Sequence, residues 1–121
     1  MSNENNLNEQ KMGNITVSED VVAAVVKNAV LEIEGVKEIA GTQVEQKFLF
    51  FKTIKENENG GIKVTIKEPD EAYIEIPVVL TYGTNVIDVS KNIQEKVKEA
   101  VAADVGMTAK DIDIIVEQIA D

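Results

Sequence analysis

The chain has 121 residues and contains no Cys, His, Arg or Trp, which excludes disulfides, thiolate zinc sites, cysteine nucleophiles, the usual neutral-pH general base and bidentate guanidinium clamps on phosphate. Its 12 Lys against 22 Asp and Glu leave a formal charge of −10. Because the lysines are scattered among acids, the surface repels nucleic-acid phosphates and anionic lipid headgroups, and no nucleic-acid partner is expected.

One domain is expected from the length, burying about two-thirds of the unfolded chain's surface. The opening MSNENNLNEQKM is polar, and residues 1–12 read as a disordered tail ahead of a single domain at 13–121. It has neither the basic start nor the apolar run of a secretion signal. No apolar stretch approaches the ~18–20 residues that a membrane-crossing helix needs. The expected location is the cytoplasm, with any membrane association supplied by a surface or a partner rather than by direct insertion.

Ile15, Thr16 and Val17 predict a short strand-like entry. Ser18 fits a helix N-cap, with Glu19 and Asp20 set against the positive end of the helix dipole. As a nucleophile Ser18 would lack both a His and an elbow sequence. A helix is predicted from Glu19 to Glu34, with Val22, Val25, Val26, Ala29, Val30 and Ile33 as its apolar stripe and Gly35 as its stop. Valine is a mediocre helix former, so this helix depends on packing against a sheet. Val36 to Val44 predicts a second strand, weakened at its end by Gly41.

The segment Glu45 to Lys55 holds all three phenylalanines, Phe48, Phe50 and Phe51, around Leu49. It fits a helix with Val44, Phe48, Phe51 and Ile54 on one side, and it fits a strand equally well. Phe48, Leu49, Phe50 and Phe51 are the candidate interaction surface. A satellite cluster folded back on the core is the competing reading.

Glu56 to Gly61 is a loop by composition. Ile62, Val64 and Ile66 alternate as a third strand, and Glu68, Pro69, Asp70 and Glu71 turn it back into a hairpin. The strand that follows alternates at Ala72, Ile74, Ile76, Val78, Leu80 and Tyr82, which places all six on one face. Pro77 falls on the other face, and its missing N–H points to a sheet edge or a bulge. After Gly83 and Thr84, Val86, Val89, Ile93, Val97, Val101 and Val105 recur at helical spacing until Gly106. Ile112, Ile114 and Val116 then alternate as a last strand.

Two helices near 19–34 and 85–105, with strands at 62–67, 72–82 and 112–119, predict an α+β fold. Its economical form is a two-layer sandwich, both helices on one face of a mainly antiparallel sheet, a ferredoxin-like variant. Ile74, Ile76, Val78, Ile93, Val97, Ile114 and Val116 are expected to be the most buried residues.

No catalytic, cofactor-binding or metal-binding residue emerges. Asp111 and Asp113 share a strand face, but a calcium site needs more oxygen ligands and usually a glycine-turned loop. Asn59, Gly60 and Gly61 lack the longer pattern and the lysine of a phosphate loop. An RNA-clamping GxxG is absent too, and Tyr73 and Tyr82 alternate onto opposite faces, so they form no stacking platform. An enzyme built on this chain would have to run on Asp, Glu, Lys, Tyr or Ser.

GNITVSEDVVAAVVKNAVLEIEGVKEIAG, at 13–41, resembles the opening of the alkaline shock protein family of envelope stress response proteins, also called the general stress Gls family. The G-x-I-x-V start, the helix of small and β-branched residues and the turn at Glu34, Gly35 and Val36 carry the likeness. The Tyr82-Gly83 turn, the spacing through Ile93, Gln94 and Val97, Gly106, and the alternation at Ile112, Ile114 and Val116 extend it over about four-fifths of the chain. It departs at 42–61, where the family varies and where the Phe cluster sits.

The resemblance implies a small protein of Gram-positive or related bacteria, linked to cell-envelope stress and without a known catalytic site. Some such proteins are held at the membrane by a membrane-embedded partner. The expected function is thus non-enzymatic, through self-assembly or binding to a membrane-anchored protein, without a cofactor. A small-ligand or lipid-binding module with an apolar cavity between sheet and helices is the alternative.

Overall fold

The computed structural model describes residues 15–41, 43–48, 51–56 and 59–121. In chain order these form α1 (Glu19–Leu31), β1 (Val36–Ile39), β2 (Gln43–Phe48), β3 (Phe51–Glu56), β4 (Lys63–Lys67), β5 (Glu71–Thr81), α2 (Val86–Ala100) and β6 (Thr108–Ala120). A wider π-helical turn, Val101–Val105, continues α2. The tail expected at 1–12 lies outside the described residues.

β5 is the spine of a four-stranded sheet. β1 pairs antiparallel with its C-terminal part, Ile39 opposite Val78, and β4 pairs antiparallel with its N-terminal part, Lys63 opposite Glu75. The two therefore lie end to end along one edge of β5. β6 runs parallel to β5 along the other edge, from Thr108 opposite Glu71 to Ala120 opposite Thr81. With both helices packed on one face, this is the expected α+β two-layer sandwich on a mainly antiparallel sheet. Within that class, β5, α2 and β6 form an unsplit unit, because the two parallel strands are direct neighbours.

Several local expectations are corrected. Ile15 to Val17 adopt no regular structure, and Ile15 is 90% exposed. α1 stops at Leu31 rather than Glu34, because the N–H groups of Glu32 and Ile33 reach back only three residues, to Ala29 and Val30. The strand expected over Val36 to Val44 is cut at Ala40 and Gly41, where Gly41 takes a φ of +83°. The ambiguous segment that follows forms two strands, β2 and β3, paired antiparallel as a separate two-stranded sheet. Tyr82 lies in the turn beyond β5, 73% exposed, and is not part of its apolar face.

Pro77 sits in the central strand, not at an edge. Its carbonyl accepts from the Ala40 N–H at 3.0 Å, so its nitrogen faces the same side, the break between β1 and β4. A residue without an N–H is tolerated there because the ladder is interrupted at that point. The Gly61 N–H donates to the Ala40 carbonyl at 2.8 Å and closes the break.

The inner face of the sheet meets the helices in one core. Val22, Val26 and Val30 of α1, Ile76, Val78 and Leu80 of β5, and Ile93 and Val97 of α2 have no solvent exposure. Ile74 is buried as expected, whereas Ile114 and Val116 are only half-buried. The reason is positional: among the described residues β6 has a strand neighbour on one side only, and none flanks its inner-face residues on the other.

Side chains cap both helix starts. Ser18 Oγ accepts from the Val21 N–H at 3.2 Å, as the sequence predicts, and Asn85 Oδ1 accepts from the Asp88 N–H at 3.0 Å. Gly106, at φ +75°, ends the π turn and donates to the Ala102 carbonyl. Asn85→Ala leaves an N–H of α2 without its acceptor, and the expected loss is about 1 kcal/mol in urea denaturation. Asn85→Ser should stay within a few tenths of wild type.

Candidate functional site

The Phe cluster is placed by backbone only. β2 and β3 pair from Gln43 opposite Glu56 to Phe48 opposite Phe51, so Phe48 and Phe51 are backbone partners in the last pair of this two-stranded sheet. Leu49, Phe50 and the side chains of Phe48 and Phe51 lie outside the described residues.

The outer face of the four-stranded sheet is polar over its lower half. Lys63, Thr65 and Lys67 of β4 lie opposite Glu75, Tyr73 and Glu71 of β5. Across β5, Tyr73 and Glu75 lie beside Asp111 and Asp113 of β6. Lys63 Nζ reaches Glu75 at 3.9 Å, Lys110 Nζ reaches Glu71 at 3.9 Å, and Lys67 Nζ lies 4.6 Å from the Tyr73 ring centre. Each of these exposed contacts adds little to stability. Asp111 and Asp113 face Lys63, Thr65 and Tyr73 across a shallow hollow of ≈ 230 Å³. They share a face as expected, yet among the described residues no group of three or more acids is placed to hold a metal ion.

On the opposite side, a groove of ≈ 330 Å³ between the helices is lined by Val25, Ala29, Ala100 and Ala103 together with Glu32, Lys96, Glu99 and Asp104. Lys96 Nζ spans it to Glu32 at 3.1 Å. Fully buried side chains of the core line the space between sheet and helices among the described residues.

Two features were missed by sequence reasoning. One end of the molecule gathers exposed Leu31, Tyr82, Ile87 and Ile119. The chain segments that carry them are tied together there, since Thr81 N–H donates to the Gly35 carbonyl and Tyr82 N–H to the Ala120 carbonyl, both at 2.8 Å. Ile87 was legible in principle, being out of phase with the stripe of Val86, Val89, Ile93 and Val97. The other feature is the far edge of β6, with which no strand pairs among the described residues. Among the described residues the one side chain that caps it is Gln94, whose Nε2 donates to the Ile112 carbonyl at 3.0 Å.

The described residues thus form an α+β body with an open sheet edge, exposed apolar side chains at one end and no group of three or more acids placed to hold a metal ion. The chain belongs to the alkaline shock (ASP23) family, described as having a cell envelope-related function, whose family model matches residues 7–120. It is 34% identical over 110 residues to the uncharacterized protein Spy1614 of Streptococcus pyogenes serotype M6, covering 90% of this chain and 89% of that one. To the uncharacterized protein YloU of Bacillus subtilis it is 28% identical over 109 residues, covering 90% of each chain. No solved structure matches it. The family likeness read from 13–41 and 82–116 is thereby established. No helix among the described residues is long and apolar enough to cross a membrane.

Proposed function

We propose that this protein is a non-enzymatic interaction module of the cell envelope, working in the cytoplasm by self-assembly, by binding a membrane-anchored partner at the inner face of the membrane, or by both. It uses no cofactor and binds no nucleic acid. Membership of a family with cell envelope-related function is the observation that carries this reading. The exposed apolar side chains Leu31, Tyr82, Ile87 and Ile119 on neighbouring segments support it, because apolar side chains gathered at a surface serve contact with another molecule.

Phe48, Leu49, Phe50 and Phe51 are the proposed self-association or partner surface. Burying three aromatics supplies several kcal/mol at about 25 cal/mol per Å² of apolar area, enough to favour an interface. The test is the triple change Phe48→Ser, Phe50→Ser and Phe51→Ser. The protein is expected to keep its circular dichroism spectrum and lose its oligomers in size-exclusion chromatography with light scattering. Unfolding would make the cluster core, and unchanged oligomers would hand the role to another surface.

A further inference from the structure

The far edge of β6 combines open backbone groups with an unbalanced charge row. From Asp111 to Val116 the strand pairs with β5 in unbroken register, Asp111 opposite Tyr73 through Val116 opposite Val78. Register shifts bracket this run on both sides, so it is a regular window between two irregularities. The Ile112 carbonyl is free to accept from Gln94, so it points away from β5. By strand alternation the N–H and C=O groups of Ile114 and Val116 point the same way. Among the described residues no strand pairs with them, and open backbone groups of this kind are what strand addition uses.

The side chains along the window sort by face. Ile112, Ile114 and Val116 are half-buried on the inner face, packed against the core. Asp111 and Asp113 stand exposed on the outer face, and Glu75 beside Asp113 adds a like charge. The nearby lysines are engaged elsewhere: Lys63 with Glu75 and Lys110 with Glu71. Among the described residues Asp111 and Asp113 make no ion pair.

The same sheet contains the complement of this arrangement on its other edge. β4 lines up Lys63 and Lys67 opposite Glu75 and Glu71 on the outer face, and Val64 and Ile66 opposite Ile74 and Ala72 on the inner face. Its own outer edge is then closed by Glu19, whose carboxylate accepts from the Ile66 N–H at 3.4 Å. An acidic strand flanked by an apolar–basic strand is thus how this fold completes one side of β5.

We propose that the Asp111–Val116 edge of β6 docks an extended segment of a partner protein in which apolar residues alternate with Lys or Arg. The apolar residues extend the inner core beyond Ile112, Ile114 and Val116, the basic ones answer Asp111 and Asp113, and the backbone displaces the Gln94 amide from the Ile112 carbonyl. A second copy is the wrong occupant. Pairing β6 with β6 antiparallel, inner face to inner face, brings Asp111 and Asp113 of both copies onto one face at the seam, in a chain of charge −10. This inference rests on the partner-binding reading above and gives that partner a chemistry.

The test is an NMR titration of the full chain with a synthetic peptide that repeats Ile62–Lys67 in tandem, against a control in which each Lys is Glu. The Lys peptide is expected to shift the amide signals of Ile112, Ile114 and Val116, slow their hydrogen exchange and weaken as salt rises. The Glu peptide leaves them unchanged. Ile114→Pro removes an N–H that faces away from β5 and abolishes the response. Should that variant misfold, the double change Asp111→Lys and Asp113→Lys, at exposed positions, weakens the Lys peptide by about tenfold and admits the Glu peptide. The proposal falls if the peptide fails to bind, perturbs β4 and β5 instead, or ignores the charge reversal. It falls equally if the edge amides of the free protein gain protection as its concentration rises, which is the second-copy outcome. Such a failure, alongside oligomers that the triple Phe change still dissolves, sinks the edge and leaves the interaction module standing.

Discussion

Val97→Asp is expected to lower the stability of the fold by about 4–6 kcal/mol, a large part of the ~5–15 kcal/mol that a domain of this size has. Val97 has no solvent exposure and belongs to the α2 stripe that meets the sheet. Two terms add. Removing a buried valine forfeits roughly 1.5–3 kcal/mol of burial, and the new carboxylate loses its hydration with no buried polar or charged side chain among the described residues to answer it. Lowering the pH toward about 4 should return part of the loss, because burial raises the carboxyl's folded-state pKa and the variant takes up a proton when folded before it does when unfolded. Urea midpoints at neutral and acidic pH check both statements. Glu99→Ala, on the exposed side of the same helix, should stay within about 0.5 kcal/mol of wild type. Equal midpoints for Val97→Asp and wild type would overturn the phase assigned to α2.

How far the sequence led depended on what each pattern physically encodes. The alternation at Ala72, Ile74, Ile76, Val78 and Leu80 and the stripe of Val89, Ile93 and Val97 each report one buried face, and those faces meet in the core. Alternation does not report how many neighbours a strand has. Ile114 and Val116 therefore read like core residues but are half-buried at an edge, and Pro77 reads like an edge residue but sits in the central strand. The break that accommodates Pro77 is made by residues far off in sequence, Ala40 and Gly61, and no local period carries that information. Contiguous apolar residues at Phe48 to Phe51 satisfy both helical and strand spacing, so their pattern alone does not specify the pairing of β2 with β3. The apolar end around Tyr82 and Ile119 and the open edge of β6 are properties of tertiary assembly, visible only once β5 and β6 lie side by side.

Gly35→Ala is expected to cost about 2–4 kcal/mol, more than the same change at any exposed glycine turn of this protein. Gly35 lies between α1 and β1 at a φ of +102°, a backbone conformation that L side chains rarely adopt. Strain alone contributes about 1–2 kcal/mol for a residue with a Cβ. Space contributes the rest. A Cβ at Gly35 would stand 2.9 Å from Val89 Cγ2 and 3.1 Å from Thr84 Cγ2. Val89 is a core residue in the first turns of α2, and Thr84 is held by its own Oγ1 donating to the Thr81 carbonyl at 2.8 Å. Neither neighbour gives way without disturbing packing, and overpacking of this kind costs roughly 1–3 kcal/mol. The Gly35 carbonyl also accepts from the Thr81 N–H at 2.8 Å, so moving the backbone to relieve the clash weakens the junction of β1 with β5. Gly83→Ala isolates the strain term, since Gly83 has a φ of +93° but nothing within 4 Å of the added carbon. It should lose only about 1–2 kcal/mol. The decisive measurement is a double-mutant cycle by urea denaturation: trimming the partner with Val89→Ala should make Gly35→Ala less costly than it is in wild type. Additive losses, or a Gly35→Ala loss no greater than that at Gly83, would show that α2 yields to the added carbon and that the turn tolerates a side chain.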